Sequence, residues 1–189
     1  LSVIDLETGQ QPMGDQHGNW VTYNGEIYNY LELRDELGAN LFRTHSDTEV
    51  ILHAYHKWGV ECLNQFRGMF AFALWDESRK SLICARDPFG IKPLYYTVNH
   101  GLFYFASEAK ALLPFVPDIE TDFDSLKYYL TFQFCLGGKT LFKGIRELLP
   151  GHFLTVRNGV VETRRYWEVY YRLDFDHTAK YFEEKVRSL

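Results

Sequence analysis

Met69-Phe70-Ala71-Phe72-Ala73-Leu74-Trp75-Asp76, then Glu77-Ser78-Arg79-Lys80, then Ser81-Leu82-Ile83-Cys84-Ala85-Arg86, is the stretch on which the fold turns. Two apolar runs, each too short for an ordinary helix, flank a polar tetrapeptide. Phe, Trp and Ile dominate them, and such residues suit a pleated, packed surface, so the runs predict two strands joined by a tight turn. The pattern continues downstream. Residues 94–98 and 102–107 are two more aromatic-rich runs, set apart by Asp87 to Gly90 and by Asn99-His100-Gly101. Together they predict an antiparallel meander. Residues 152–157 and 160–164 flank Asn158-Gly159, the composition of a two-residue hairpin turn, just after Pro150-Gly151.

Upstream the period changes to that of helices. Ser46-Asp47-Thr48-Glu49 is a capping box, and Ile51, Ala54, Tyr55 and Trp58 follow at i, i+3, i+4 and i+7, with Gly59 as the stop. Trp20-Val21-Thr22-Tyr23 has strand composition and is followed by Asn24-Gly25. Asn-Gly usually marks a hairpin, but no returning strand follows. The chain enters a helix instead, with Asn29 as cap, Glu32 as its reciprocal partner and Gly38 as the end. Asn24-Gly25 is thereby placed at a strand end. Residues 1–6 read as a strand, 7–9 as a turn, 10–18 as a loop, 60–66 as a short second helix, and 124–132 and 178–189 as helices, with 166–176 as a linker. Strands that pair with their neighbours, and helices that come in blocks, predict an α+β fold with antiparallel sheets rather than a doubly wound parallel sheet.

Composition bounds the function. At 189 residues one domain with a real core is expected. A net charge of −5 supplies no basic face for phosphates, so nucleic acid is not the expected partner. No apolar run is long enough to predict a membrane span. Cys62, Cys84 and Cys135 form no CxxC, which predicts reduced thiols and a cytoplasmic location rather than disulfides or zinc. His53 and His56 share a helical face but lack a third ligand at metal spacing, so no metal is expected and a solvated face is the simpler reading. Gly137-Gly138-Lys139-Thr140 lacks the upstream glycine of a phosphate loop.

Two places can carry chemistry. An Asn side chain beside a Gly backbone N–H, as in Asn24-Gly25-Glu26, can form an oxyanion hole, and glycine lets the backbone approach a substrate. The plainer reading is a strand-end turn. Asp47 falls in the first turn of a helix, where a carboxylate is stabilised by unpaired N–H groups and the helix dipole. It could also hold a substrate's ammonium group.

Five segments, in order, resemble the asparagine synthetases: Asn24-Gly25-Glu26-Ile27-Tyr28-Asn29, Ser46-Asp47-Thr48-Glu49-Val50-Ile51, Arg67-Gly68-Met69-Phe70-Ala71-Phe72-Ala73, Arg86-Asp87-Pro88-Phe89-Gly90-Ile91-Lys92-Pro93-Leu94-Tyr95-Tyr96 and Ala106-Ser107-Glu108-Ala109-Lys110-Ala111-Leu112. Leu1 to Leu6 and Gly9-Gln10-Gln11-Pro12-Met13 fit the same family. The resemblance covers residues 1–167 and is to the glutaminase domain, a class II glutamine amidotransferase of the N-terminal-nucleophile hydrolase fold. Two packed antiparallel sheets flanked by helices are then expected, incomplete at the N-terminus. Residues 168–189 become a linker and the start of a synthetase domain.

The resemblance implies that an N-terminal cysteine attacks the glutamine amide, with its own α-amine as base, and that an acyl thioester is then hydrolysed. Asn24 and the Gly25 N–H would form the oxyanion hole. Asp47, with Gly25 and Glu26, would hold the glutamine α-ammonium. Ammonia would pass to a synthetase domain that uses ATP and Mg2+ to amidate aspartate. The glutaminase domain itself would need no cofactor, and a homodimer is left open. Neither the nucleophile nor the carboxylate-binding arginine lies within the 189 residues, so this chain alone is expected to be inactive. The alternative is an inert amidotransferase-like module supporting a synthetase domain, as in β-lactam synthetases.

Overall fold

The computed structural model describes residues 5, 9–171, 173–174 and 176–188. The strand expected over 1–6 and the turn over 7–9 lie outside the described residues apart from Asp5 and Gly9. Among the described residues, nine strands form two antiparallel sheets. They are β1 (Met13–Gly14), β2 (Trp20–Ile27), β3 (Gly68–Asp76), β4 (Ser81–Arg86), β5 (Tyr95–Asn99), β6 (Leu102–Ala106), β7 (Arg146–Glu147), β8 (His152–Arg157) and β9 (Val160–Arg165). The larger sheet has the order β1-β2-β3-β4-β8-β9 and the smaller β6-β5-β7. The helices are α1 (Tyr30–Leu37), α2 (Asp47–Trp58), α3 (Phe123–Phe132) and α4 (Ala179–Arg187).

The central strand β3 explains the layering. Side chains alternate along a strand, so its two faces carry different sets. Phe70, Phe72 and Leu74 face α1 and α2, where they pack with Val21, Tyr23, Ile27, Leu33, Val50, Ile51, Ala54 and Tyr55. Ala71 and Ala73 face the other way, toward Cys84, Leu94, Leu148 and Leu154 under the smaller sheet. Both faces are covered, and β3 therefore reads as an unbroken apolar run. Beyond the smaller sheet, a 3-10 turn over Ala109–Phe115 stacks Phe115 on Tyr104, with ring centroids 4.4 Å apart.

Several expectations are corrected. The four runs from Met69 do not form one meander. β3 and β4 belong to the larger sheet, β5 and β6 to the smaller, and β8 takes the place beside β4. The cause is Asp87, whose carboxylate accepts from the N–H groups of Phe70, Phe89, Ile91 and Lys92 and bends the chain out of the sheet. Arg86 fixes the same corner by donating to the carbonyls of Gly90, Lys92 and Leu148. Asn24-Gly25 is not at a strand end, because β2 continues to Ile27.

Asn29 precedes α1 without capping it by its side chain. Its amide clamps a distant loop, donating to the Gln65 carbonyl and accepting from the Arg67 N–H, both at 2.9 Å. Residues 59–64 form a 3-10 rather than an α-helix. The hairpin over β8 and β9 turns at Asn158-Gly159 as expected.

The capping box is half formed. Ser46 Oγ accepts from the Thr48 N–H, but the Ser46 N–H is already held by Thr44 Oγ1. Glu49 therefore reaches further back, accepting from the N–H groups of Arg43 and Thr44 and from the Thr44 hydroxyl. His53 is half-buried against Phe42 and lies 3.5 Å from Glu49, so it is not on a solvated face, whereas the exposed His56 stacks on His17. Among the described residues no group of three or more His, Cys, Asp or Glu could hold a metal ion. No described helix is long and apolar enough to cross a membrane.

Candidate active site

The polar edge of β2 follows from ladder geometry. Phe70 donates its N–H to Asp87 Oδ2 (3.2 Å), and its carbonyl accepts from the Asp87 N–H (2.7 Å), so both of its polar groups point away from β2. Gly25 is the residue opposite Phe70. In an antiparallel ladder such a pair turns its N–H and C=O groups outward on both sides. Tyr23, Gly25 and Ile27 accordingly direct their N–H groups to the outer edge of β2, about 7 Å apart.

Two of these donors are taken. Tyr23 N–H donates to Gln11 Oε1 at 2.6 Å, and Ile27 N–H donates to Asp47 Oδ2 at 3.1 Å. The Gly25 N–H lies between them. β1 covers only Trp20 and Val21, and no described residue accepts from Gly25.

Gly25 must be glycine here for steric reasons. A Cβ would sit 2.2 Å from the Met69 carbonyl oxygen and 2.7 Å from Phe70 Cα, both backbone atoms of the neighbouring strand. Gly68 answers it two pairs along, where a Cβ would sit 2.1 Å from the Glu26 carbonyl oxygen.

Asn24 points to the opposite face from Tyr23. It lines a cleft of about 360 Å³ between the sheets, with Gln11, Thr22, Ala71, Ala73, Pro93, Leu94, Phe105, Ala106 and Ser107. Ala71 is its cross-strand neighbour, and the small side chains of Ala71 and Ala73 help leave the space open. The Asn24 amide makes no hydrogen bond to the described residues.

Asp47 reaches the same strand edge from the helix side. Ser46 starts α2 at a point that leaves Asp47 buried, with Oδ2 accepting from the Tyr23 hydroxyl at 2.8 Å as well as from Ile27. Burial, reinforced by the Asp47 charge, pushes the Tyr23 phenol well above its ordinary range, so it stays protonated and remains the donor. Oδ1 has no hydrogen-bond partner among the described residues.

Of the residues singled out from sequence, Asn24 lines the cleft. Gly25, Glu26 and Asp47 do not line it. Asp47 bonds the Ile27 N–H on the same edge of β2 as the Gly25 N–H, and Glu26 is half-buried on the Asn24 side. Gln11 was missed as a site residue. Its partner Tyr23 is twelve positions away, which no local pattern signals.

None of the three thiols is poised for attack. Cys62 and Cys84 are buried in the core, and burial pushes both thiols up, Cys62 to about 12. Burial also raises the half-buried Cys135 thiol. Gly137-Gly138 is a backbone crossing rather than a phosphate loop. The Gly138 carbonyl accepts from Glu147 N–H, and a Cβ on Gly138 would lie 2.7 Å from the Glu147 carbonyl oxygen.

A family model described as a glutamine amidotransferase domain matches residues 1–167. Glutamine-hydrolyzing asparagine synthetase 1 of Bacillus subtilis is 44% identical over 176 residues, covering 91% of this chain and 28% of the relative. Amidase chyE of Penicillium rubens is 38% identical over 100% of this chain and 28% of its own length. The chain thus spans little more than a quarter of the length of these relatives.

Among solved structures, glutamine phosphoribosylpyrophosphate amidotransferase from B. subtilis superposes with a TM-score of 0.59 at 22% identity, covering 83% of this chain and 32% of that one. At that identity the likeness bears on fold, and it places the paired sheets in the N-terminal-nucleophile hydrolase arrangement. The match to the family model runs through most of the chain, from residue 1 to residue 167, and the chain belongs to the glutamine amidotransferase domain family.

Proposed function

We propose that the chain is the glutaminase domain of a glutamine-hydrolysing asparagine synthetase, which releases ammonia for ATP-dependent amidation of aspartate. The observation that carries the reading is the edge of β2, where the Gly25 N–H, between two occupied neighbours, has no acceptor among the described residues. With the Asn24 amide it supplies two donors to a carbonyl oxygen that gains negative charge. Donors fixed beforehand need no reorganisation as that charge develops. Asp47 would hold the substrate's α-ammonium through Oδ1, while Tyr23 and Ile27 fix Oδ2. Glu26 would line the same end.

The bond-making group is a cysteine supplied from outside these 189 residues, with its α-amine as base. The internal thiols lack both a free α-amine and a lowered pKa. The 189-residue chain is therefore proposed to be inactive alone, and to pair with the parent's upstream segment and with a following synthetase domain begun by residues 168–189. ATP and Mg2+ would serve that domain. The cytoplasm would be its location, where free thiols such as Cys62 and Cys84 stay reduced.

The test uses the parent enzyme with both nitrogen donors. Asn24→Ala should lower kcat for glutamine hydrolysis by roughly 10²–10³, with a smaller change in KM, because the amide meets charge present mainly in the transition state. Synthesis from free ammonia should survive. A variant that raises only KM, or that also abolishes ammonia-driven synthesis, would overturn the assignment.

A further inference from the structure

The cleft is lined by Gln11, whose amide the mechanism above does not use. Gln11 Oε1 accepts from the Tyr23 N–H at 2.6 Å, which fixes the orientation of the amide, since an –NH2 group there would face another donor. Nε2 is thereby turned the other way. It is buried with no hydrogen-bond partner among the described residues, in a side chain that lines the cleft beside Asn24. A buried, unpaired donor costs roughly as much as a lost hydrogen bond, so it marks a place that an acceptor completes.

The order along β2 says which acceptor. Asp47 sits at Ile27, the free N–H at Gly25 and Gln11 at Tyr23. A glutamine whose α-ammonium lies at Asp47 brings its side-chain carbonyl toward Gly25, with Gln11 on the far side of that carbonyl.

We propose that Gln11 is a further residue of the glutamine site: Oε1 holds the strand edge through Tyr23, and Nε2 donates a third hydrogen bond to the reacting carbonyl oxygen. This rests on the glutaminase reading. The donor stays protonated throughout, and the hydrogen bond strengthens as the oxygen becomes an oxyanion.

Gln11→Glu in the parent enzyme separates the two roles. A carboxylate keeps the acceptor for Tyr23 but removes the donor. A protonated carboxyl restores it. Gln11→Met has similar volume and removes both. Glutamine hydrolysis is measured from pH 5.5 to 8.5 as the ratio of each variant to wild type, with Asn24→Ala in parallel.

The expected result for Gln11→Glu is a kcat lowered roughly 10- to 100-fold at pH 8, at or below the usual loss for one oxyanion donor, with little change in KM. The ratio should recover toward acid pH, and that of Gln11→Met should stay low at every pH. A Gln11→Glu enzyme equal to wild type throughout, or one whose loss matches Gln11→Met at every pH, overturns the proposal. If Asn24→Ala also leaves kcat unchanged, the glutaminase site itself is wrong. If Asn24→Ala lowers it as expected, only the role of Gln11 fails.

Discussion

Replacing Glu49 by Gln should destabilise the fold by an amount that depends on pH. Glu49 is fully buried at the start of α2. Burial alone would raise its pKa, but hydrogen bonds from His53, from the Arg43 and Thr44 N–H groups and from the Thr44 hydroxyl outweigh it. The carboxyl is held at about 2, against 4.5 for the free group. At about 1.4 kcal/mol per pKa unit, the ionised form contributes about 3 kcal/mol.

The folded pKa is the lower one, so the contribution is complete above pH 4.5 and is lost as pH falls toward 2. Glutamine has the same shape but places an –NH2 group against donors that need an acceptor. Urea unfolding of wild type and Glu49→Gln at pH 7, 5, 4 and 3 is the assay. The expected difference is about 2–3 kcal/mol at pH 7, shrinking below pH 4.5. A difference that is constant with pH, or below about 0.5 kcal/mol at pH 7, would refute the reasoning. Because Glu49 ties residues 43 and 44 to the turn that presents Asp47, the parent enzyme should also show a raised KM for glutamine.

Asp47→Asn in the parent should raise KM for glutamine more than it lowers kcat, because the substrate ammonium carries the same charge before and during reaction, and steady-state kinetics decide this. Gly25→Ala should cost about 3 kcal/mol, since the new methyl meets two backbone atoms of β3. Gly159→Ala, with open space but a φ of +77°, should cost only about 1–2 kcal/mol, and parallel thermal melts compare them. The purified 189-residue chain should release no glutamate from glutamine above buffer background, as a coupled glutamate assay would register.

Much of the local structure was legible in the sequence. The runs at 69–76 and 81–86, the hairpin at Asn158-Gly159 and the Ser46-capped helix all lie where composition and period put them. Each is set by interactions within a few residues: a turn that needs φ above zero, a cap that needs a hydroxyl, an apolar stripe at helical spacing. Asn24, Gly25 and Asp47 could be singled out because an Asn beside a Gly can supply two donors and a carboxylate at a helix start can hold a cation.

Tertiary structure decided everything that depends on distant partners. The split of the aromatic runs between two sheets rests on Asp87, whose carboxylate collects N–H groups from Phe70 to Lys92. Asn29 and Glu49 were legible as capping residues but serve other segments: the Asn29 amide is engaged by Gln65 and Arg67, and the Ser46 N–H that Glu49 would have met is held by Thr44. The oxyanion edge shows the difference most plainly. Sequence offers an Asn beside a Gly, yet whether that Gly keeps its N–H free depends on the parity of its pairing with Phe70. It depends also on Gln11 and Asp47 occupying the donors on either side. Register is a property of two strands together, and a one-residue slip would turn every one of those groups to the other edge.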